Sequence, residues 1–394
     1  VKIAMLSDCY LPRLGGIEVQ VHDLASRLMG RGHEVVVFTA TAGSHGERGG
    51  FVDRVDGVEI HRLALRLPFE LPVNPLAPGL LRHRLASGGF DVVHVQMGVV
   101  SPFAADCTRV ATELGLPTAM TWHCMLGPLE PVFRAAGHVR RWARGGVVMS
   151  AVSAVAAEPL QRLVGTGSVV NILSNGIDVN RWAISAERAT KALANEPRVS
   201  GPGHQVRVVS AMRLASRKRP LPLLRTMARV RALVPAETGI RLEIFGDGPD
   251  LRRLERFVAA HEMGGWVSLA GRVTREELQQ RYAASDIFVA PAPLESFGIA
   301  ALEARTAGLP VVGRRGSGIQ EFVTDGVNGF LAPDDGAMAD VLARLITDSG
   351  LRESMKAYNR DTAPAQDWGR ILEGAEAEYR RAVTVARTMQ GATG

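Results

Sequence analysis

Ala290-Pro-Ala-Pro-Leu-Glu-Ser-Phe-Gly-Ile-Ala-Ala-Leu-Glu303 has the form of a strand end, a turn and a helix. The apolar run from Asp286 to Ala290 reads as a buried strand, which Pro291 and Pro293 end. A helix is expected to begin near Phe297, with Glu295 just before it and Glu303 two turns in. Eight residues at helical rise span about 12 Å, which is the reach from a sugar ring, across a diphosphate, to a ribose. The helix N-terminus between the two acids offers free N–H groups and positive dipole, which suit a diphosphate. One glutamate would accept from sugar hydroxyls and the other from ribose hydroxyls. On spacing alone, capping and solvation explain two such acids more simply.

The wording of the whole segment adds to this. Glu295-Ser-Phe-Gly298, Leu302-Glu303-Ala304 and Gly308-Leu-Pro-Val-Val312 together resemble the Glu-x7-Glu signature of retaining nucleotide-sugar glycosyltransferases of family 4, which have the GT-B fold. The resemblance implies that Glu295, Phe297, Gly298, Ile299 and Glu303 bind the donor.

Strand and helix patterns alternate on either side of that stretch. Strands are expected at Ile3–Ser7, Glu34–Thr39, Val58–His61, Asp91–Val95, Pro117–Trp122, Val147–Val152 and Val169–Leu173. In the second half they are expected at Arg207–Ala211, Arg241–Phe245, Val267–Ala270, Asp286–Ala290 and Pro310–Val312. Such alternation predicts parallel sheets with helices on both faces. The Pro- and Gly-rich run from Glu196 to His204 reads as a linker. The expected architecture is therefore α/β, with two Rossmann-like, doubly wound parallel-sheet domains. In the GT-B fold that the resemblance implies, they face each other across a cleft. The first would span 1–180 and bind the acceptor; the second would span 181–365 and bind the nucleotide-sugar donor. A last helix, Gln366 to Thr388, is expected to cross back onto the first domain, so that 366–394 belong with it.

The chain has 394 residues, of which 46% are hydrophobic and 22% charged, an ordinary globular composition large enough for two cores. Three cysteines, Cys9, Cys107 and Cys124, lack metal-ligand or redox spacing and fit a reduced compartment. The start of the chain reads as a strand rather than a secretory leader, and no apolar run is long enough to span a membrane. The net charge of +6 suits anionic phosphates or an anionic membrane as well as solvation. Nucleic acid is not expected as a partner, since arginine-rich tails, zinc spacings and aromatic RNA-binding motifs are absent. A cytoplasmic protein is expected. The mixed arginines and leucines of His61–Pro72 and Leu80–Leu85 raise the option of contact with the inner membrane face; packing of this segment on its own domain is the simpler reading.

Other elements follow strands, where open α/β sheets place their ligands. Gly15 and Gly16, in Pro-Arg-Leu-Gly-Gly-Ile-Glu18, let the backbone approach a phosphate or sugar closely. Alone they are a plain turn; as a phrase they resemble the family's glycine loop under the donor diphosphate. Arg213 and Lys218 follow the strand ending at Ala211 and can clamp a diphosphate by charge-assisted bonds, stabilising negative charge on the leaving group. A basic loop is usually just solvated, but the family pattern matches Arg213 and Lys218 to the pyrophosphate. Arg217 and Arg219 flank Lys218, so the match can slip by one. His123 ends a strand; it is a structural histidine by default, and the resemblance places it at the sugar's reacting face. The next residue, Cys124, departs from the family's small or acidic one. Asn175-Gly-Ile-Asp178 reads as a turn and resembles the family's domain crossing. Gly246-Asp-Gly248-Pro is not a dinucleotide fingerprint. Gly271-Arg272-Val273 matches a loop that meets the nucleobase, with Arg272 and Val273 at the base.

No Asp-x-Asp triplet occurs, so a metal-free site is expected, without cofactor, in which Arg213, Lys218 and the helix dipole replace a cation. The implied reaction moves a sugar from a GDP-mannose, UDP-glucose or UDP-N-acetylglucosamine type of donor to a hydroxyl of a small sugar or polyol, a glycan or a lipid-linked acceptor. Catalysis would fall to His123, Glu295, Arg213 and Lys218. A nucleotide-sugar epimerase of the same fold and a non-catalytic nucleotide-sugar-binding module are the alternatives; a dehydrogenase lacks its glycine fingerprint.

Overall fold

The computed structural model describes residues 1–13, 15–65, 73–184 and 205–392. The chain divides into two compact units, Val1–Gly176 with Trp368–Gly394, and Ile177–Asp367. The linker-like run 196–204 lies outside the described residues.

In the first unit the strands are β1 (Lys2–Ser7), β2 (Glu34–Thr39), β3 (Phe51–Val55), β4 (Val58–Arg62), β5 (Val92–Met97), β6 (Thr118–Trp122), β7 (Val148–Ala151) and β8 (Val170–Ile172). They form one sheet in the order β3-β4-β2-β1-β5-β6-β7-β8. β5 and β6 are buried along their whole length, as strands covered on both faces must be. Alternate side chains part to the two faces. Ala4, Leu6, Val36 and Phe38 enter one core cluster, and Ile3, Met5, Val35 and Val37 enter the other. The final helix, Trp368–Ala392, closes the second cluster. Its Trp368, Ile371, Leu372, Ala375, Tyr379 and Ala382 recur at helical spacing and pack there. The last helix therefore returns to the first unit.

One strand departs from the expected parallel pattern. β3 pairs antiparallel with β4 through a hairpin at Asp56-Gly57, where both residues have positive φ. Its run Phe-Val-Asp-Arg-Val is short and half polar, and the hairpin dipeptide was its only clear signal. The leucines of Leu80–Leu85 are not exposed. In the helix Ala77–Ser87, Leu81 and Leu85 are buried, Arg82 pairs with Glu113, and Arg84 donates to the Gly50 carbonyl at 2.8 Å. Residues 66–72 of the same segment lie outside the described residues. Among the described residues no helix is long and apolar enough to cross a membrane.

The second unit has β9 (Val206–Ala211), β10 (Ile240–Phe245), β11 (Val267–Gly271), β12 (Ile287–Val289), β13 (Val311–Arg314) and β14 (Gly329–Ala332). They are all parallel, in the order β11-β10-β9-β12-β13-β14. β14 was not anticipated. It holds a glycine because a Cβ on Gly329 would sit 2.2 Å from the Val311 carbonyl oxygen, and that glycine masks the strand pattern.

Chain direction across each sheet reverses at one place, between β1 and β5 in the first unit and between β9 and β12 in the second. The loops leaving the carboxyl ends of such strands open a crevice at the sheet edge. Both halves thus carry a ready ligand position in their topology.

Candidate active site

In the second unit, β9 ends at Ala211 and Arg213 stands exposed two residues on. A 3-10 turn, Ser216–Lys218, follows. On the other side of the reversal, the chain leaving β12 runs through Pro291 and Pro293 to Glu295. Lys218 Nζ donates to Glu295 Oε2 at 2.5 Å, and both side chains are about one-fifth to one-quarter exposed. The three consecutive cations are therefore sorted by tertiary structure: Lys218 meets Glu295, Arg219 meets Asp335, and Arg217 is exposed.

The helix of this segment is Ile299–Thr306, and its N-cap is Gly298 in the left-handed region at φ +92°. It starts two residues later than expected. A Cβ on Gly298 would lie 2.8 Å from Ile319 Cγ1, so position 298 needs glycine for both its φ and its packing. Only the part from Ile299 to Glu303 has helical rise, about 6 Å; the 12 Å reckoned over eight helical residues does not apply, because 295–298 is bent chain. Glu303 is one turn into the helix, not two, and is buried. Burial, then the Glu303 charge, pushes the Tyr282 phenol well up. Phe297 is buried, while the Glu295 carbonyl accepts from Gly318 N–H at 2.7 Å.

The Gly271 carbonyl accepts from Gly246 N–H at 2.7 Å. Arg272 beyond it is exposed and Val273 is half-buried. Gly246 and Gly248 have a structural task that the sequence reading missed. A Cβ on Gly246 would lie 1.9 Å from the Met212 carbonyl oxygen, and one on Gly248 would lie 2.4 Å from that of Leu214. Leu214 N–H donates to the Asp247 carbonyl at 2.9 Å. This turn thus presses directly on the loop that presents Arg213. The signal was present, a Gly-x-Gly at a strand end, but its partner strand could not be read.

In the first unit, Gly15 and Gly16 open the helix Gly16–Gly30 after β1. The Glu18 carboxylate folds back over Gly15. A Cβ on Gly15 would meet Glu18 Oε2 at 2.3 Å, and Arg13 pairs with that carboxylate at 3.3 Å. Asp8, not anticipated from the sequence, anchors the start of the same loop. Its backbone carbonyl accepts from the hydroxyls of Thr39 and Thr41 at 3.1 Å each, and its Oδ1 accepts from Phe103 N–H at 3.0 Å. Burial outweighs these hydrogen bonds and pushes its carboxyl up to about 6.

His123 follows β6. Its Nε2–H donates to Gln96 Oε1 at 2.6 Å, since an amide oxygen can only accept. Nδ1 is buried without a hydrogen-bond partner among the described residues. Burial pushes the imidazole down to about 4, so it is neutral at pH 7. Behind it, His94 bridges Tyr379 Oη at 2.9 Å and Thr121 Oγ1 at 2.8 Å. Burial, then the neighbouring His123, pushes His94 down to about 3. A cavity of about 20 Å³ lies between His94, Gln96, Thr121, His123, Asn175 and Trp368, room for a single water. Cys124 is half-buried. Asn175-Gly176 does not form the turn its dipeptide suggests. Gly176 is required because a Cβ there would lie 2.4 Å from Cδ2 of Trp368, and Gln20 makes two 3.0 Å bonds to its backbone.

The second unit thus brings Lys218 and Glu295 together beside the N-terminus of the helix bearing Glu303. The first unit sets Gly15, Gly16 and His123 beyond the carboxyl ends of β1 and β6. Comparison with known proteins follows this division. Residues 14–181 match the family model described as Glycosyltransferase Family 4, and residues 195–362 match that described as Glycosyl transferases group 1. The D-inositol 3-phosphate glycosyltransferase of Pseudarthrobacter chlorophenolicus is 28% identical, over 94% of this chain and 91% of that one. A GDP-mannose-dependent alpha-(1-6)-phosphatidylinositol monomannoside mannosyltransferase of Mycobacterium tuberculosis is 26% identical, over 98% of this chain and all of the other. Among solved structures, sucrose-phosphate synthase of Thermosynechococcus elongatus superposes with TM-score 0.77 at 19% identity, covering 96% and 98% of the two chains. Anabaena HepE in complex with UDP and glucose gives TM-score 0.71 at 18% identity, covering 95% and 98%.

Proposed function

This chain belongs to the family-4 glycosyltransferases of the GT-B fold, and from that premise we propose that it is a retaining enzyme using a nucleoside diphosphate sugar. The observation that carries the reading is the Lys218–Glu295 contact at 2.5 Å, set where the strand order reverses and beside a helix N-terminus. Cation, acid and helix dipole there suit a diphosphate and the sugar attached to it.

In the proposed reaction the bond between the anomeric carbon and the diphosphate oxygen breaks as the acceptor oxygen bonds to that carbon from the same face. The proton of the acceptor hydroxyl passes to the departing phosphate oxygen, and the nucleoside diphosphate leaves. Arg213 and Lys218 take the developing negative charge, a role in which preorganised charge acts strongly. Glu295 leaves Lys218 for the sugar hydroxyls as the phosphate supplies a new anion. Glu303 accepts from the ribose, and Gly271, Arg272 and Val273 face the base. His123, neutral in the fold, positions the sugar; a neutral imidazole adds no repulsion where positive charge grows. No metal or cofactor enters this scheme.

The relatives named for inositol phosphate and phosphatidylinositol substrates favour an acceptor hydroxyl on a polyol or sugar, free or lipid-linked. Contact with the inner membrane face is part of the lipid-linked case. The test is calorimetric titration with UDP, GDP, ADP and NAD, without added metal. Micromolar binding of one nucleoside diphosphate is expected and names the base of the donor. Binding of NAD alone would overturn the reading.

A further inference from the structure

Arg219 has a left-handed backbone, with φ +60° and ψ +42°. Glycine enters this region freely, whereas an L side chain is strained there. Among the described residues only Asp56 and Glu262 share this sign of φ without being glycine. Asp56 lies in the β3–β4 hairpin and Glu262 in the turn after the helix Leu251–Ala260. Arg219 instead joins the turn that carries Lys218 to the helix Pro220–Leu233.

Its side chain is tied down. Arg219 Nη2 donates to Asp335 Oδ2, and Asp335 Oδ1 accepts from Arg314 Nη1 at 2.7 Å. Arg314 donates also to the Pro333 carbonyl at 2.9 Å. Asp335 opens the helix Asp335–Thr347, which packs against the helix that Arg219 caps. The neighbouring Lys218 turns the other way, to Glu295. Two consecutive cations therefore staple the loop after β9 to the segments after β12 and β14. A strained conformation persists where its surroundings over-determine it, and here the tether is that surrounding.

We propose that Arg219 and Asp335 are positioning residues for Lys218: the tether holds the left-handed turn that aims the lysine at the donor's diphosphate. This rests on the reading of Lys218 given above. A glycine at 219 removes strain and tether together, so stability and function should move apart. The experiment compares full-length wild type, Arg219→Gly, Asp335→Asn, their double variant and Lys218→Ala. Thermal melting is measured alongside titration with the nucleoside diphosphate that wild type binds. Arg219→Gly is expected to melt no lower than wild type yet to bind about 3- to 10-fold more weakly. Asp335→Asn should weaken binding similarly, and the double variant no further. Wild-type affinity in both Arg219→Gly and Asp335→Asn, with Lys218→Ala impaired, would overturn the proposal alone. An unimpaired Lys218→Ala would overturn the reading of Lys218 and the proposal with it. If wild type binds no nucleoside diphosphate, the donor reading itself has failed.

Discussion

Lys218 Nζ lies 2.5 Å from Glu295 Oε2, joining the loops that leave β9 and β12 at the point where strand order reverses. The contact places a cation where the topology alone would put a ligand's phosphate. Replacing Lys218 and Arg213 together by alanine should lower turnover by about 10²- to 10³-fold, the loss seen when one preorganised stabiliser of transition-state charge is removed, or more. Steady-state rates with the matching sugar nucleotide check this. Undiminished turnover in the double variant would show that the two cations do not hold the leaving group.

Glu303 is buried one turn into its helix. Glu303→Ala should weaken nucleoside diphosphate binding by about 1–3 kcal/mol, the cost of a lost charged hydrogen bond. Titration of the variant against wild type measures it. Equal affinity would remove Glu303 from the ribose.

Asp8 has its carboxyl raised from 3.8 to about 6 by burial. A raised acid favours the fold when protonated. Its contribution is full below pH 3.8 and is lost as pH rises through about 6. Asp8→Asn keeps an acceptor for Phe103 N–H and removes the buried charge. It should be more stable than wild type at pH 7.5, by up to about 3 kcal/mol, and match it near pH 4. A variant that melts lower at pH 7.5 would show that the ionised carboxylate stabilises the loop instead.

His94 and His123 are depressed by burial, to about 3 and about 4. Depressed histidines support the fold fully above their ordinary value of 6.5, and that support is lost as pH falls towards the folded values. Between pH 6 and 5 the pair should cost roughly 2 kcal/mol per pH unit, as each histidine gains most of a proton on unfolding. Denaturant titrations across that interval test the slope, and His94→Asn should roughly halve it. An unchanged slope would mean that His94 is already charged in the fold. The same values predict that His123 does not appear as an ionisation near 6.5 in the pH dependence of turnover.

The repeating strand–helix order is legible in the residues alone, because strands buried on both faces must be continuous apolar runs. So is the chemical character of the loop residues at strand ends, such as Glu295, Lys218 and Arg213, since each side chain carries its charge wherever it folds. What depends on a distant partner emerges only on folding. Which of Arg217, Lys218 and Arg219 meets Glu295 follows from a left-handed turn tethered to Asp335, 116 residues away. The helix begins at Ile299 because Gly298 is left-handed, and Ile319 leaves no room for a side chain at that position. Leu81 and Leu85, set among arginines in the chain, belong to the core of the first unit. The edge strand β3 and the glycine-bearing β14 exist through pairing, which short runs do not encode. Likewise the neutrality of His123 comes from burial against Gln96 and the elements around it. Local pattern specifies periodicity and charge; desolvation, packing clearance and long-range pairing arise only when remote segments meet.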